Sequence, residues 1–148
     1  MKTPVVHAAG QEFKIGKSVE LTEGSELTII ATGLMVAEAI RAQEHLESER
    51  ISARVIDMHT IKPLDREAIR RAASETGAIV VAEEHLVDGG LGVRAAQVVG
   101  ETHPCPMEFV GIQDTYAESG APDQLLDKYG LAARDVIAAA YRVLRRKR

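Results

Sequence analysis

The sequence has little of several residue types, and each scarcity excludes a class of protein. Tryptophan is absent and aromatic residues make up 3% of the chain, so the core has to be aliphatic. A single cysteine, Cys105, cannot form an internal disulfide and has no second cysteine with which to bind a metal. We expect it to be a free thiol in a loop of a cytoplasmic protein. No apolar run approaches the ~20 residues that cross a bilayer, and the first ten residues lack the apolar segment of a secretory signal.

An excess of positive charge is also missing. The net charge is −4, whereas a nucleic-acid-binding protein usually carries a basic face. Basic residues do gather at the C-terminus, but cations there complement the negative end of a helix dipole, and no aromatic platform for bases accompanies them. They are Arg142, Arg145, Arg146, Lys147 and Arg148. We therefore expect no nucleic-acid partner and no membrane partner.

Apolar periodicity predicts alternating strands and helices along a chain of 148 residues, the length of one compact domain. Runs rich in Val and Ile are typical of strands that are buried on both faces. The predicted strands are 18–21, 27–32, 53–57, 78–82 and 107–111. The predicted helices run from Met35 to about 47, from Asp65 to a stop at Gly77, and over about 90–99, 122–130 and 133–146.

This alternation predicts an α/β fold with three layers, in which helices cover both faces of a mostly parallel sheet of five strands. The connection from the first strand to the second is too short for a parallel crossover, so the first strand should lie antiparallel at an edge. Residues 1–17 show no periodicity, and we expect them to form a lead-in arm or linker before a domain at 18–148.

The least ordinary segment is EEHLVDGGLG, which spans residues 83–92. Within it, the stretch 90–95 matches a G-x-G-x-x-A dinucleotide fingerprint at the start of a predicted helix. The acidic residues just before it disfavour nucleotide binding, because they would place negative charge beside a pyrophosphate. The candidate turn or contact residues are Glu83, Glu84, His85, Asp88, Gly89, Gly90 and Gly92.

Two other interpretations of this segment stay open. A carboxylate near an imidazole can act as a general base, and Glu83 and His85 should share one face of an extended chain, with Glu84 on the other. Alternatively, Glu83 or Glu84 accepts hydrogen bonds from the N–H groups of the glycine turn, and His85 is a polar residue at a subunit or domain contact. In that second, favoured interpretation, Asp88 is able to cap the following helix.

Other polar positions have simpler explanations. Asp57 ends the third strand and His59 follows it, so the two are able to pair, but no H-x-x-x-H or C-x-x-C spacing supports a metal site. Two predicted helix starts have alanine where a capping hydroxyl would be favourable, at Ala121 and Ala132. Acidic residues in the first turns of both helices can offset part of that loss through the helix dipole.

Four segments, taken together, resemble the C-terminal domain of transketolases. They cover about residues 12–147 in the family's order and spacing: LTIIATGLMVAEAIRA, RVIDMHTIKPLD, IVVAEEHLVDGGLG and DTYAESGAPDQLLDKYGLAARDVIAAA. More broadly, the chain is similar to the third domain of thiamine-diphosphate enzymes. This group includes 1-deoxyxylulose-5-phosphate synthase and the β subunits of 2-oxo-acid dehydrogenases, but the paired-helix ending favours transketolase.

The resemblance implies a five-stranded mixed sheet in the order 1-3-2-4-5. In transketolases, two other domains bind thiamine diphosphate with a divalent metal and supply the catalytic glutamate. We therefore expect this chain to contain no catalytic, cofactor-binding or metal-binding residue and to be inactive alone. Its expected partners are those thiamine-binding domains, in the same or a separate chain, and a second copy in a homodimer.

The complete enzyme would transfer a two-carbon ketol unit between sugar phosphates. The alternative is the interaction domain of a 2-oxo-acid dehydrogenase β subunit or of a 1-deoxyxylulose-5-phosphate synthase. A third possibility is a free-standing protein that binds a small molecule in the crevice where the strand order reverses.

Overall fold

The computed structural model describes residues 4–147. Residues 1–3 of the predicted arm and Arg148 of the basic tail lie outside this range. The strands are β1 (Val19–Thr22), β2 (Leu27–Ala31), β3 (Ala53–Asp57), β4 (Ile79–Leu86) and β5 (Met107–Ile112). The helices are α1 (Met35–Ser48), α2 (Arg66–Thr76), α3 (Leu91–Thr102), α4 (Pro122–Lys128) and α5 (Ala133–Arg146).

The five strands form one mixed sheet in the order β1-β3-β2-β4-β5. β1 is antiparallel to β3, and the other neighbours are parallel. The predicted α/β class, strand order and antiparallel edge are therefore confirmed. In the central strands, Ala31 pairs with Asp57 on one side and with Ala82 on the other. The carboxyl ends of β2, β3 and β4 consequently meet at the same edge of the sheet.

Aliphatic side chains fill both faces of the sheet. Alternation along β2 sends Ile29 to the face covered by α1 and α5, and Ile30 to the face covered by α2 and α3. Both side chains are fully buried, and each such burial stabilises the fold by about 1.5–3 kcal/mol relative to exposure. The scarcity of aromatic residues thus leaves a core made of Ala, Val, Ile, Leu and Met.

The buried stripe of α5 differs in part from the prediction. Val136 and Ala140 are fully buried as expected, but Ile137 and Leu144 are only partly buried. The residues that complete the stripe are Ala139 and Val143. The stripe is rotated because α5 packs on α1 as well as on β4 and β5, and a pattern of apolar residues alone does not reveal a second helix as a packing partner.

Helix α2 begins and ends as its sequence predicts. The side chain of Asp65 accepts a hydrogen bond from the backbone N–H of Ala68 at 3.1 Å, which satisfies one of the free donors of the first turn. Gly77 has a φ of +64° and ends the helix in the left-handed conformation that glycine adopts most readily.

Helices α4 and α5 begin at Ala121 and Ala132 without a side-chain cap, as predicted. At α5, two carboxylates take over part of that role. Asp135 accepts a bond from the backbone N–H of Ala132 at 3.0 Å, and Glu38 of α1 accepts one from the N–H of Ala133 at 2.9 Å. Sequence spacing indicates the contribution of Asp135 but not that of Glu38, which lies 95 residues earlier in the chain.

No helix within residues 4–147 is both long enough and apolar enough to cross a membrane.

Candidate functional site

β4 extends further than the sequence predicts. It runs to Leu86, so Glu83, Glu84 and His85 belong to the end of a strand and not to a loop. The pairing register with β5 shifts between Ala82 and Leu86, and Leu86 then pairs with Ile112. This continued pairing with β5 is the reason that polar residues remain extended beyond the apolar run, where the strand was predicted to end.

The carboxylate of Glu83 is the best-defined feature of the candidate segment. Glu83 is only 4% exposed to solvent. One oxygen accepts a hydrogen bond from the backbone N–H of Leu91 at 2.6 Å, and the other accepts one from the N–H of Gly92 at 2.8 Å. Because these donors belong to the first turn of α3, the carboxylate also meets the positive end of the helix dipole. Glu83 therefore caps α3 from the end of β4.

Two glycines make room for the side chains around the start of α3, Gly90 for the Glu83 carboxylate and Gly92 for the Phe109 ring. A Cβ on Gly90 would lie 2.1 Å from an oxygen of Glu83, and a Cβ on Gly92 would lie 2.7 Å from the ring of Phe109. Both distances are below van der Waals contact. Close approach explains these two positions, whereas Gly89, with a φ of +90°, is the position where the turn needs a left-handed residue.

The expectation that Asp88 caps α3 is wrong. Asp88 is exposed, and Gly90, the residue before the helix, has no side chain with which to cap it. The first-turn N–H groups are already used by Glu83. A cap eight residues before its target is too distant in sequence for capping patterns to indicate.

Glu84 and His85 are both exposed, and neither joins Glu83. Glu84 lies on the opposite face of β4 and lines an apolar groove of about 280 Å³, together with Leu34, Ile112, Leu125 and Tyr129 among others. The Nδ1 atom of His85 lies 2.8 Å from the carbonyl oxygen of Leu86. Since both oxygens of Glu83 are engaged by backbone donors, the structure does not assemble Glu83 and His85 into an acid–base pair.

A second polar cluster lies at the carboxyl end of β3, and the sequence did not indicate it. Asp57 accepts a hydrogen bond from Nε2 of His7 at 2.9 Å, so its partner is His7 and not His59, the pairing that the sequence allowed. Phe13 packs edge-on against both imidazoles, with ring centroids 4.8 Å from His7 and 5.0 Å from His59. These contacts attach the segment before β1 to the sheet. They depend on residues 50 positions apart, a separation at which sequence patterns carry no signal.

The resemblance to transketolases implies thiamine diphosphate and a divalent metal in the complete enzyme, and the residues that the structure describes do not fit either group. At the sheet's carboxyl edge, the start of α3 aims two backbone donors at an anion, and Glu83 already fills that position. A diphosphate would have to displace a buried carboxylate and would lie beside its charge. No group of three or more side chains within residues 4–147 is arranged to hold a metal ion.

Cys105 is a free thiol between α3 and β5, as predicted. It is partly buried, and burial raises the pKa of the thiol above its ordinary value. The thiolate that would act as a nucleophile is therefore disfavoured.

Comparison with known proteins places these features in a family. Residues 16–136 match the family described as transketolase, C-terminal domain. The chain is 46% identical over 142 residues to the 6-deoxy-6-sulfo-D-fructose transketolase subunit SqwH of Clostridium sp. (strain MSTE9), a match that covers 96% of this chain and 44% of that protein. It is 42% identical over 129 residues to an apulose-4-phosphate transketolase subunit of Phocaeicola vulgatus, covering 87% of this chain and 41% of that protein.

Solved structures agree with the sequence relatives. A structure described as "Split gene transketolase, inactive beta4 tetramer" matches with a TM-score of 0.95 and 47% identity, over 99% of this chain and 48% of that chain. Transketolase from Leishmania mexicana matches with a TM-score of 0.67 and 19% identity, which supports the fold alone. The chain spans less than half the length of these relatives. It belongs to the transketolase family, and it corresponds to that family's C-terminal domain.

Proposed function

We propose that this chain is the C-terminal domain of a thiamine-diphosphate enzyme that transfers a two-carbon ketol unit between sugar phosphates. The observation that carries the proposal is the pattern of coverage: 96% of the chain matches 44% of a protein named as a transketolase subunit. Such a match is expected of one domain that works within a larger assembly. We also propose that the domain begins at residue 18 and that residues 1–17 form the arm before it.

In this proposal the chain is not catalytic alone. The buried Glu83, the candidate best placed for chemistry, uses both oxygens to hold the start of α3. The cofactor and its metal are bound by the thiamine-binding domains, on the same polypeptide or on a separate one. The solved split-gene relative is described as an inactive tetramer of β chains, which is the behaviour expected of such chains without their partner.

The contact with those domains is proposed to lie at the carboxyl edge of the sheet. Glu84 and His85 are exposed there. Glu84 also lines the apolar groove with Leu125 and Tyr129. An apolar groove beside exposed polar residues is suited to a domain interface, because the apolar part gives binding energy and the polar rim fixes orientation.

A homodimer is also part of the proposal. The solved split-gene relative contains four copies of its chain, so self-association occurs in a relative that is 47% identical over almost the whole of this chain.

Reconstitution tests the proposal. The chain is purified alone, and it is then mixed with the thiamine-binding domains encoded in the same genome, thiamine diphosphate and magnesium. We expect ketol transfer from a ketose phosphate to an aldose phosphate only in the mixture. A variant with His85→Ala and Glu84→Ala should bind those domains more weakly. Transfer by the chain alone, or equal transfer by the other domains without it, would refute the proposal.

One second candidate has an observation in its favour. The chain is 40% identical over 127 residues to a 1-deoxy-D-xylulose-5-phosphate synthase of Heliobacterium modesticaldum, a match that covers 20% of that enzyme. Product analysis of the reconstituted mixture separates the two functions. A new ketose phosphate from ketol transfer supports the transketolase proposal, whereas 1-deoxy-D-xylulose 5-phosphate as the product supports the synthase.

A further inference from the structure

The two edges of the sheet differ in length and in exposed apolar surface. β1 has four residues, contains an irregularity between Glu20 and Thr22, and carries a charged cluster in which Glu20 meets Arg54 and Arg71. Such devices keep edge strands from pairing with other chains. β5 has six residues and contains neither proline nor lysine. Its Phe109 is 39% exposed. Glu108 of β5 also forms a charged cluster, with Arg142 and Arg146 of α5. The edge at β5 therefore differs from that at β1 in its greater length and in its exposed aromatic ring, which are features of a strand that pairs with a partner.

The backbone of β5 shows which groups are available for pairing. The carbonyl oxygens of Pro106 and Ile112 point toward β4. That of Pro106 accepts a hydrogen bond from the backbone N–H of Ile79 at 3.1 Å, and that of Ile112 accepts one from the N–H of Val87, the residue after β4, at 3.0 Å. Since the direction of these groups alternates along a strand, the even-numbered residues face β4. The N–H and C=O groups of Met107, Phe109 and Gly111 consequently point to the open edge. Two of these carbonyl oxygens already accept hydrogen bonds within the chain: Arg146 donates to that of Met107 at 2.9 Å, and Gln113 donates to that of Gly111 at 3.4 Å.

We propose that β5 pairs antiparallel with β5 of a second copy of this chain, with Phe109 opposite Phe109 of that copy. A two-fold axis perpendicular to the sheet places the helices α1 and α5 of both copies on the same face of the joined sheet. The residue at the axis must then lie opposite the same residue of the second copy. With Phe109 at the centre, Met107 lies opposite Gly111 of the second copy. These flanking pairs form when the backbone N–H groups of the second copy replace the side chains of Arg146 and Gln113 at the two carbonyl oxygens. The inference rests on the homodimer of the proposed function and not on ketol transfer.

Helix α5 carries charges that fit the same axis. Arg142 bonds Glu108 at 2.8 Å near the start of β5, whereas Asp135 lines a cleft with Gly111 near the strand's end, so α5 runs antiparallel to β5. Asp135 and Arg142 lie seven residues apart on one flank, with the exposed Ala138 near their midpoint. A two-fold axis near Ala138 places each Asp135 opposite Arg142 of the other copy.

This self-complementarity selects a second copy as the occupant. An isologous interface requires that one patch contain both members of each contact. The flank of α5 supplies both charges, and the small side chain of Ala138 lets the two helices approach. The cleft of about 240 Å³ between α5 and the β5 edge offers space for side chains of the second copy.

The same pairing buries exposed apolar surface on the other face of the sheet. Phe109 covers Gly92 there, and Val93, the next residue of α3, is 48% exposed. Joining the two edges places both rings and both Val93 side chains around the axis. Apolar burial at the centre and charge pairs at the flank match the usual arrangement of a specific interface.

Two charge reversals test the inference by sedimentation velocity of the 148-residue chain across a dilution series. Asp135→Arg alone and Arg142→Glu alone each create two like-charge contacts in a homodimer, so each should weaken dimerisation by at least about tenfold. An equimolar mixture of the two variants restores two attractive pairs and should form a heterodimer. Circular dichroism checks that both variants are folded, because Asp135 also supports the start of α5 and Arg142 binds Glu108.

A second set of measurements examines the centre of the surface. Phe109→Lys places two cations beside the axis and should also abolish the dimer, whereas Ile15→Lys, at an 82% exposed residue outside the surface, should leave it intact. Exchange of the Phe109 amide hydrogen should slow as concentration rises. A wild-type chain that remains monomeric refutes both the homodimer and this surface. A dimer that these variants leave unchanged, or that another protein's strand displaces, refutes this surface alone.

Discussion

Replacing Glu83 should destabilise the fold strongly, because its carboxylate holds the start of α3. Glu83→Gln keeps the shape of the side chain but removes its charge and one of its two acceptors. One buried backbone N–H of α3 then faces an amide NH₂ group. A hydrogen bond to a charged group contributes about 1.5–3 kcal/mol, so the variant should lose about that much stability. For a chain of this size the loss corresponds to about 3–12 °C in melting temperature.

Glu83→Ala should have a larger effect. It leaves both the Leu91 and the Gly92 donors, bonded at 2.6 and 2.8 Å in the native chain, without a partner. At about 1–3 kcal/mol for each buried donor that is left unpaired, the cost is about 2–6 kcal/mol. That is a large fraction of the roughly 5–15 kcal/mol that stabilises an ordinary domain. The Ala variant is therefore expected to be partly unfolded at 37 °C.

Urea unfolding followed by circular dichroism measures these losses. Glu84→Gln is the matched control, because Glu84 is the exposed neighbour on the opposite face, and it should change stability by less than about 0.5 kcal/mol. Acetate should stabilise Glu83→Ala more than the wild-type chain, because the vacated helix start binds anions. Equal losses in the two Gln variants, or no loss in Glu83→Gln, would show that Glu83 does not cap α3.

Three further predictions concern backbone and pH. Gly90→Ala should lower the free energy of unfolding in urea by several kcal/mol, because its Cβ would lie 2.1 Å from Glu83. Gly100→Ala, in open space within α3, should instead raise it by about 0.5–1 kcal/mol. The reverse order of stabilities would contradict this packing. Ala121→Thr should raise the melting temperature by about 1–4 °C by capping α4, and calorimetry that finds no rise would contradict that helix start. Burial raises the pKa of Asp65, but bonds from Ser18 and Ala68 outweigh it, so the pKa is lowered from 3.8. The resulting stabilisation is present above that value and is lost as the pH falls through the lowered pKa, so acid titration should destabilise the wild-type chain more than Asp65→Asn.

Local and periodic features of the fold are predictable from the sequence. The buried run of β2, the start of α2 at Asp65 and its end at Gly77 each depend on residues that are close in the chain. The antiparallel edge follows from the short connection between β1 and β2 alone. The strand order required the resemblance to transketolases, because no local pattern states which strands are neighbours.

The candidate site was harder to predict, because its decisive contacts join distant residues. The segment is predictable as a turn between a strand and a helix, and a bond from Glu83 or Glu84 to the glycine turn is one of the interpretations that the sequence allows. The choice of Glu83 over Asp88 as the cap depends on the extension of β4 along β5, which adds polar residues to a strand. The bond between His7 and Asp57 depends on the path of an arm without regular structure, and periodicity says nothing about such a path.

The proposal that this chain completes a transketolase-type enzyme is tested most directly by titration. A fixed amount of the thiamine-binding domains, with thiamine diphosphate and magnesium, receives increasing amounts of the chain, and the initial rate of ketol transfer is measured. We expect a rate that rises from baseline and reaches a plateau at one chain for each thiamine-binding unit. A rate that does not depend on the chain, or that is already present with the chain alone, would contradict it.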